Sequence, residues 1–438
     1  MKNMDRLKIA RYICIIITTA FMFFISYDNI CIWEDEAFTL NAVGQSFQGL
    51  WQIIVDDLVH PPLYYFLLKL FLSLTDTNHL TQIPAAKMFS VLWIVLVLLW
   101  GSKLIEKRYG SRTALLFTVF MCGTETVGFS TEIRMYSMPL CFTCLAYLYA
   151  NEVRYENDRK SWILFTLFTV LGALSHYFSL ISLSFVWLWM MYVCIRQKTL
   201  RKYLYALAVC AASYLPWIIT VLTHMKSVTD YSTKITFVRV VQFFAFPFSC
   251  HNDILSAVLL GLSVLIFIRI VTLSRDAFPY VCIFNILYTG AVCIGLSVLF
   301  DKFFIGRYLL PGWGAFWAGM AIGMKDEKRF LLPLTVLISV IDLMAMYFIG
   351  TVELQDDRDT RYMMSLLKSI PMPVYADNEI VSTVNYLMPD LHAEQIQSCE
   401  NRGYYLVHLN SRWDQDLEAC YYETIGLSAN DITVYIKD

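Results

Sequence analysis

The chain has 438 residues, of which 58% are apolar, 16% aromatic and 16% charged, with a mean hydropathy of +0.54. Soluble domains run about 45–50% apolar and about 25% charged, so an ordinary soluble enzyme and a disordered chain are excluded. The net charge of −2 sums two unlike parts: residues 1–350 hold 28 Lys and Arg against 21 Asp and Glu, and residues 351–438 hold 6 against 15.

A helix crosses a bilayer with about 20 apolar residues. Eleven such runs follow in chain order, at 12–30, 85–104, 113–131, 135–151, 161–175, 177–195, 203–223, 254–273, 279–299, 308–324 and 330–350. The fifth and sixth are split at Ser175-His176-Tyr177, because the unbroken run is about twice the bilayer thickness. With the N-terminus cytoplasmic, 20 of the 28 cations of residues 1–350 fall on inner loops, as the positive-inside rule requires. An odd number of spans puts the acidic C-terminal part outside. The basic N-terminus and the apolar run from Tyr12 to Ile25 look like a signal peptide, but Ser26-Tyr27-Asp28-Asn29 offers no small-residue cleavage site, so an uncleaved anchor is expected. The expectation is a multi-pass protein of the plasma (inner) membrane: an all-α transmembrane domain over 1–350 and a small acidic α/β extracytoplasmic domain over 351–438.

The first outer segment, 31–84, is long. Within it Leu63–Leu74 is too short to span and reads as a helix lying in the membrane interface, entered through Pro61 and Pro62. The outer segment 224–253, with Lys226, Lys234, Arg239 and the aromatic run Phe243–Phe248, reads as a loop touching lipid. In the C-terminal part, 357–369 and 379–388 read as helices, and Pro373–Ala376, Tyr404–Leu409 and Ile432–Ile436 as strands. Most of the 12 cysteines lie within spans, where they pack as small apolar residues; Cys399 and Cys420 share the outer domain and could pair.

The chemistry-bearing residues gather at the outer ends of the spans. Residues 33–40, WEDEAFTL, set Asp35 and Glu36 just past the first span, either as an acid facing a cavity or as an acidic turn capping the next helix. Adjacent side chains there diverge, which argues against a carboxylate dyad. Residues 60–65, HPPLYY, offer His60, Tyr64 and Tyr65, with Lys69 beyond; the alternative is a turn and an aromatic belt. Residues 130–137, STEIRMYS, bring Glu132, Arg134 and Tyr136 to a helix junction, where a guanidinium grips a phosphate bidentately or pairs internally with Glu132. His176 lies between two spans, where a histidine is costly. Residues 301–311, DKFFIGRYLLP, give Lys302 and Arg307 on the side where cations are scarce, fitting a lipid phosphate or snorkelling to the interface. Glu125 and Asp342 lie within spans and receive no role. No nucleotide-binding glycine motif, nucleophile elbow or zinc-protease motif is present.

Five motifs in order then carry a resemblance: Asp35-Glu36 after the first span, HPPLYY in the same loop, Glu132-x-Arg134-x-Tyr136, His176-Tyr177, and Gly306-Arg307-Tyr308 with Pro311. Together they resemble the GT-C superfamily of polyprenyl-phosphate-sugar-dependent membrane glycosyltransferases, in the branch of the protein O-mannosyltransferases and lipid A aminoarabinose transferases. The resemblance covers residues 33–311 and leaves the C-terminal domain out. It implies a sugar donor on a polyprenyl phosphate, reached from the bilayer, and an inverting displacement onto a hydroxyl acceptor on a lipid, glycan or protein at the outer face. It implies Asp35 as the base with Glu36 as partner or substitute, and Arg134, Tyr136, Lys302 and Arg307 on the donor phosphate. His60, Tyr64, Lys69, Glu132 and His176 would adjoin the site. No metal is required, although Asp35, Glu132 and His176 could ligate one. A transporter or flippase is the main alternative, but it predicts mid-bilayer charges and repeat symmetry, and no repeat is visible. A non-catalytic component of envelope assembly is the third reading.

Overall fold

The computed structural model describes residues 2–75, 78, 80–122, 125–224, 236–250, 252–300, 305–327, 329–369, 372–399, 401–408, 413, 423–426 and 432–437. The described α-helices longer than one turn are α1 (Lys2–Ser26), α2 (Glu34–Gly44), α3 (Phe47–Asp57), α4 (Leu63–Ser73), α5 (Gln82–Tyr109), α6 (Ser111–Phe120), α7 (Ser137–Glu156), α8 (Arg159–Ala173), α9 (Tyr177–Arg196), α10 (Leu200–His224), α11 (Phe237–Ala245), α12 (Asp253–Leu273), α13 (Ala277–Phe300), α14 (Leu310–Gly323), α15 (Leu331–Ser369) and α16 (Asn378–Leu387). Seven of them, α1, α5, α9, α10, α12, α13 and α15, are long and apolar enough to cross a membrane. The other four expected spans fall on α6, α7, α8 and α14.

Two of those four are the centre of the bundle. Every described residue of α14 is buried, and so is α7 from Ser137 to Val153. Small residues permit this, as in other membrane bundles: a Cβ on Gly314 would meet Cys144 Cβ at 2.8 Å. The third expected span is cut short. Helix α6 stops at Phe120, and residues 129–136 run as turns inside the protein. Non-helical backbone is tolerated at such depth only when buried in protein or lining a cavity.

The end of the chain departs from the expected division. Residues 330–350 and 357–369 are not two helices but one, α15, 39 residues and about 58 Å long at 1.5 Å per residue. Its far half leaves the apolar zone and packs on the first loop, with Ile30 N donating to Asp357 Oδ1 at 2.8 Å. The sheet beyond has five strands, β1 (Val374–Ala376), β2 (Glu394–Gln395), β3 (Gly403–His408), β4 (Glu423–Gly426) and β5 (Ile432–Lys437), in the order β2-β1-β3-β5-β4. Strands β2 and β4 lie outside the three expected ones. Helix α16 packs against α2, and its Ile380, Val384 and Leu387 join the same apolar core as the bundle. The proposed pairing of Cys399 with Cys420 lies outside the described residues. In the segment 224–253 the described residues include α11, which exposes Phe237 and Val238 and buries Phe243, and the turn Phe246–Phe248, which buries Phe248.

Candidate functional site

The three carboxylates of WEDEAFTL fall in the first turn of α2, where acidic groups complement the helix dipole. Successive helical residues point about 100° apart, so Asp35 and Glu36 face different surroundings. Glu36 is buried. Its Oε2 accepts the Trp33 amide at 3.1 Å, and its Oε1 accepts the Ile133 amide at 2.6 Å. Burial pushes its carboxyl above the usual range, opposed first by the charge of Lys87 and then by these two amides. Glu36 therefore ties the buried 129–136 turn to the start of α2.

Asp35 stays one-third exposed, its side chain 34% accessible. Its Oδ2 lies 3.3 Å from Arg134 Nη2 and 3.6 Å from Arg307 Nη2. Arg134 also donates to the Asp35 carbonyl at 3.0 Å, to Thr39 Oγ1 at 3.2 Å and to His60 Nε2 at 3.1 Å. It pairs with Asp35, not with Glu132. The Trp33 ring lies 5.0 Å from the Arg307 guanidinium and 6.0 Å from that of Arg134, and Tyr136 lies 5.9 Å from Arg307. Aromatic faces of this kind orient guanidiniums without neutralising them. Gly306 lets the Arg307 turn close on Phe246, whose Cβ would stand 2.9 Å from any Cβ there.

His60 and His176 stand with ring centres 5.2 Å apart. His176 caps α9 through Nδ1, which accepts the Phe178 amide at 3.1 Å. Burial, with the charges of Arg134 and Arg307, pushes its pKa down to about 3, and burial and Arg134 hold His60 well below the histidine range. Glu132 is pushed far up by burial and by the charge of Glu36. Six buried polar atoms here have no protein partner among the described residues: His60 Nδ1, Tyr65 Oη, Glu132 Oε2, Arg134 Nε, His176 Nε2 and Arg307 Nε. Buried polar groups are almost always bonded, so such a concentration marks a place for a polar ligand.

The structure thus brings Asp35, His60, Glu132, Arg134, Tyr136, His176 and Arg307 together. It does not bring Lys69, whose ammonium caps the other end of α2 on the carbonyls of Val43 (2.8 Å) and Gln45. Tyr64 shares a hydrogen bond of 3.0 Å with Ser90. Lys302 lies outside the described residues. Sequence reasoning gave no role to Trp33, Thr39 or Tyr308, nor to Asp57, close enough to feel the charges of Arg134 and Asp35. Trp33, Thr39 and Tyr308 lie within recognised motifs, and that was the available signal; Asp57 carried none. Among the described residues no group of three or more His, Cys, Asp and Glu side chains is set to hold a metal, so Asp35, Glu132 and His176 do not form a ligand set.

No family model and no curated protein matches the chain by sequence. Two solved structures share its fold over nearly all of both chains. ArnT from Cupriavidus metallidurans bound to undecaprenyl phosphate aligns with a TM-score of 0.60 and 8% identity, covering 97% of each chain. The apo state of the same protein aligns with a TM-score of 0.59 and 10% identity, again over 97% of each. The chain therefore shares the fold of these structures, a multi-pass helical membrane protein with a small C-terminal domain, as its motifs led us to expect.

Proposed function

We propose that this protein is a membrane glycosyltransferase that moves a sugar from a polyprenyl-phosphate donor to a hydroxyl acceptor, with inversion, at the extracytoplasmic face. One observation carries the reading: the Asp35 carboxylate meets two guanidiniums at 3.3 and 3.6 Å, beside a set of unpartnered buried polar atoms. The shared fold with a protein that binds undecaprenyl phosphate supports the donor class. The distribution of basic loops supports a cytoplasmic N-terminus and an outer site.

In this mechanism Arg134 and Arg307 turn from Asp35 to the donor phosphate. Their bidentate geometry suits its oxygens and offsets the charge that grows as the bond to the anomeric carbon breaks. Asp35, released from its cations, accepts the proton of the acceptor hydroxyl while that oxygen attacks the opposite face of the anomeric carbon. The products are the glycosylated acceptor and the polyprenyl phosphate, which returns to the bilayer. Glu36 acts through the backbone, fixing the angle of α2. Protein cations do the work a metal would do, so none is required.

The test is incubation of purified protein with a panel of polyprenyl-phosphate sugars and host envelope extract, wild type beside Asp35→Asn. Wild type is expected to release polyprenyl phosphate and the variant to release none. Equal release by both would overturn the assignment of Asp35, and no release from any donor would overturn the activity.

A further inference from the structure

Helix α15 carries a polar face beyond the apolar zone. Glu353, Asp357 and Arg361 follow at four-residue steps and so share one side of the helix. All three meet the short segment that joins α1 to α2. Asn29 Nδ2 donates to Glu353 Oε2 at 3.1 Å, and the Ile30 amide donates to Asp357 Oδ1 at 2.8 Å. The Arg361 guanidinium lies 3.3 Å from the Asp28 carboxylate and also donates to the Asp28 carbonyl. Its Nε donates to Asp357 Oδ2 at 2.9 Å. Asp357 thus holds Ile30 with one oxygen and Arg361 with the other.

The segment depends on these partners for its path. Asp28 has φ 60°, in the left-handed region, where the chain turns out of α1. Residues 29–33 belong to no helix or strand, yet Ile30, Cys31 and Ile32 are buried. Buried amides outside secondary structure need side-chain acceptors. Ile30 finds Asp357, and Cys31 finds Asn29 Oδ1 at 2.9 Å. Trp33 is then the N-cap of α2, and Asp35 stands in its first turn, five positions beyond Ile30. Helix α16 packs on α2 as well. The bundle grips Asp35 through Arg134, while the far end of the chain steers the segment that leads into it. A misplacement of about 1 Å at a reacting centre costs about 100-fold in rate, so small shifts of this segment are felt at the carboxylate. Arg361 is 43% accessible, and ion pairs this exposed add little to stability, so its contacts guide more than they hold.

We propose that Asp357 and Arg361 are positioning residues: through Ile30 and Asp28 they aim the Asp35 carboxylate at its place between Arg134 and Arg307. The C-terminal part of the chain thereby takes a task in turnover besides its own fold. This deepens the glycosyltransferase reading and rests on it for what Asp35 does.

The experiment uses the full chain in lipid nanodiscs, comparing wild type, Asp357→Ala, Asp357→Asn and Arg361→Ala well below the lowest of their melting temperatures. A panel of undecaprenyl-phosphate sugars with host envelope extract gives kcat and KM from release of undecaprenyl phosphate. Thermal stabilisation gives the affinity for bare undecaprenyl phosphate. Backbone hydrogen exchange over residues 28–40 reports the segment without any need for turnover. Asp357→Ala is expected to lower kcat about 10- to 100-fold, with KM and the affinity for bare lipid changing less than about twofold. It is also expected to speed exchange over 28–40 and not in the bundle. Asp357→Asn keeps an oxygen for the Ile30 amide and is expected to recover kcat to within about threefold of wild type. Arg361→Ala orphans no buried amide and is expected to lower kcat about 3- to 10-fold at an unchanged melting temperature. A kcat within about twofold of wild type in both alanine variants overturns the positioning role. A loss of kcat matched by equal weakening of bare-lipid binding also overturns it, because general loosening of the site moves both. No turnover by wild type with any donor strikes the parent reading instead. Exchange then decides alone: faster exchange confined to 28–40 upholds the positioning, and unchanged exchange overturns it.

Discussion

Arg134 and Asp35 are joined at two points: Nη2 lies 3.3 Å from the carboxylate, and Nη1 donates to the backbone carbonyl at 3.0 Å. One contact holds the charge and the other holds the helix. A lysine has the charge but not the fork, so it makes one of these contacts and loses the other. Arg134→Lys is expected to lower kcat about 10²–10³-fold, the range for losing one electrostatic donor at a reacting centre. Arg307, with one contact to Asp35, is expected to tolerate Lys better. Single-turnover rates with a saturating donor separate the two variants, and equal losses would mean that the double attachment has no catalytic consequence.

Asp35 and Glu36 are adjacent in sequence and opposite in circumstance. Asp35→Asn keeps the helix N-terminal turn and removes a base, so turnover is expected to vanish with the melting temperature nearly unchanged. Glu36→Ala removes an acceptor from two buried amides, those of Trp33 and Ile133. Each amide left unmade costs about 1–3 kcal/mol, so a clear drop in melting temperature is expected. The reverse pattern, a stable inactive Glu36→Ala and an unstable Asp35→Asn, would exchange the two assignments.

The gross fold was legible because bilayer spans are written in composition: apolar runs bounded by charge locate the seven long helices. The candidate site was legible as five short motifs because its polar side chains cluster at helix ends. What could not be read is distance. WEDEAFTL does not say which acid turns inward, since that depends on the Ile133 amide, 97 positions away. Lys69 read as a site cation and proved to be a helix cap, because a lone lysine carries no sign of which carbonyls it will meet. The continuity of α15 was hidden for the same reason that the span was visible. Hydropathy falls at residue 351, but helical backbone needs no apolar side chains to continue.

The polar junction between α15 and the first loop is expected to be a stability element. Lys87, 4% exposed, donates to Asn29 Oδ1 at 3.0 Å. The same oxygen accepts the Cys31 amide at 2.9 Å, and Asn29 Nδ2 donates to Glu353 at 3.1 Å. Lys87→Met leaves Glu36 and Glu353 without their nearest buried cation. Breaking such a buried network from one side costs about 3–5 kcal/mol. Melting temperature in detergent should fall sharply, and Glu353→Gln should restore part of the loss by removing the stranded charge. Additive losses in the double variant would show that the two residues do not interact.

Chelation is expected to leave turnover unchanged. The charges facing the proposed phosphate are guanidiniums, and the described His, Cys, Asp and Glu side chains form no ligand set. Activity measured after prolonged EDTA treatment, then after re-addition of Mg²⁺, Mn²⁺ or Zn²⁺, checks this directly. A loss on chelation that one of these ions restores would put a cation at the centre instead.

The two neutral histidines give the protein an acid limit. His176 is pushed down to about 3 and His60 well below its ordinary value, against about 6.5 in an unfolded chain. As pH falls below 6.5 the unfolded form takes up protons that the folded form refuses, so the unfolded state gains. The histidines' contribution is therefore intact above 6.5 and is lost progressively as pH falls from 6.5 toward 3. Glu36, Asp57 and Glu132, pushed up by burial, favour the folded state as pH falls and oppose this. Between pH 7.5 and 5.0 the melting temperature of wild type is expected to drop relative to that of His176→Asn. Parallel curves for the two proteins would mean that His176 is as easily protonated folded as unfolded.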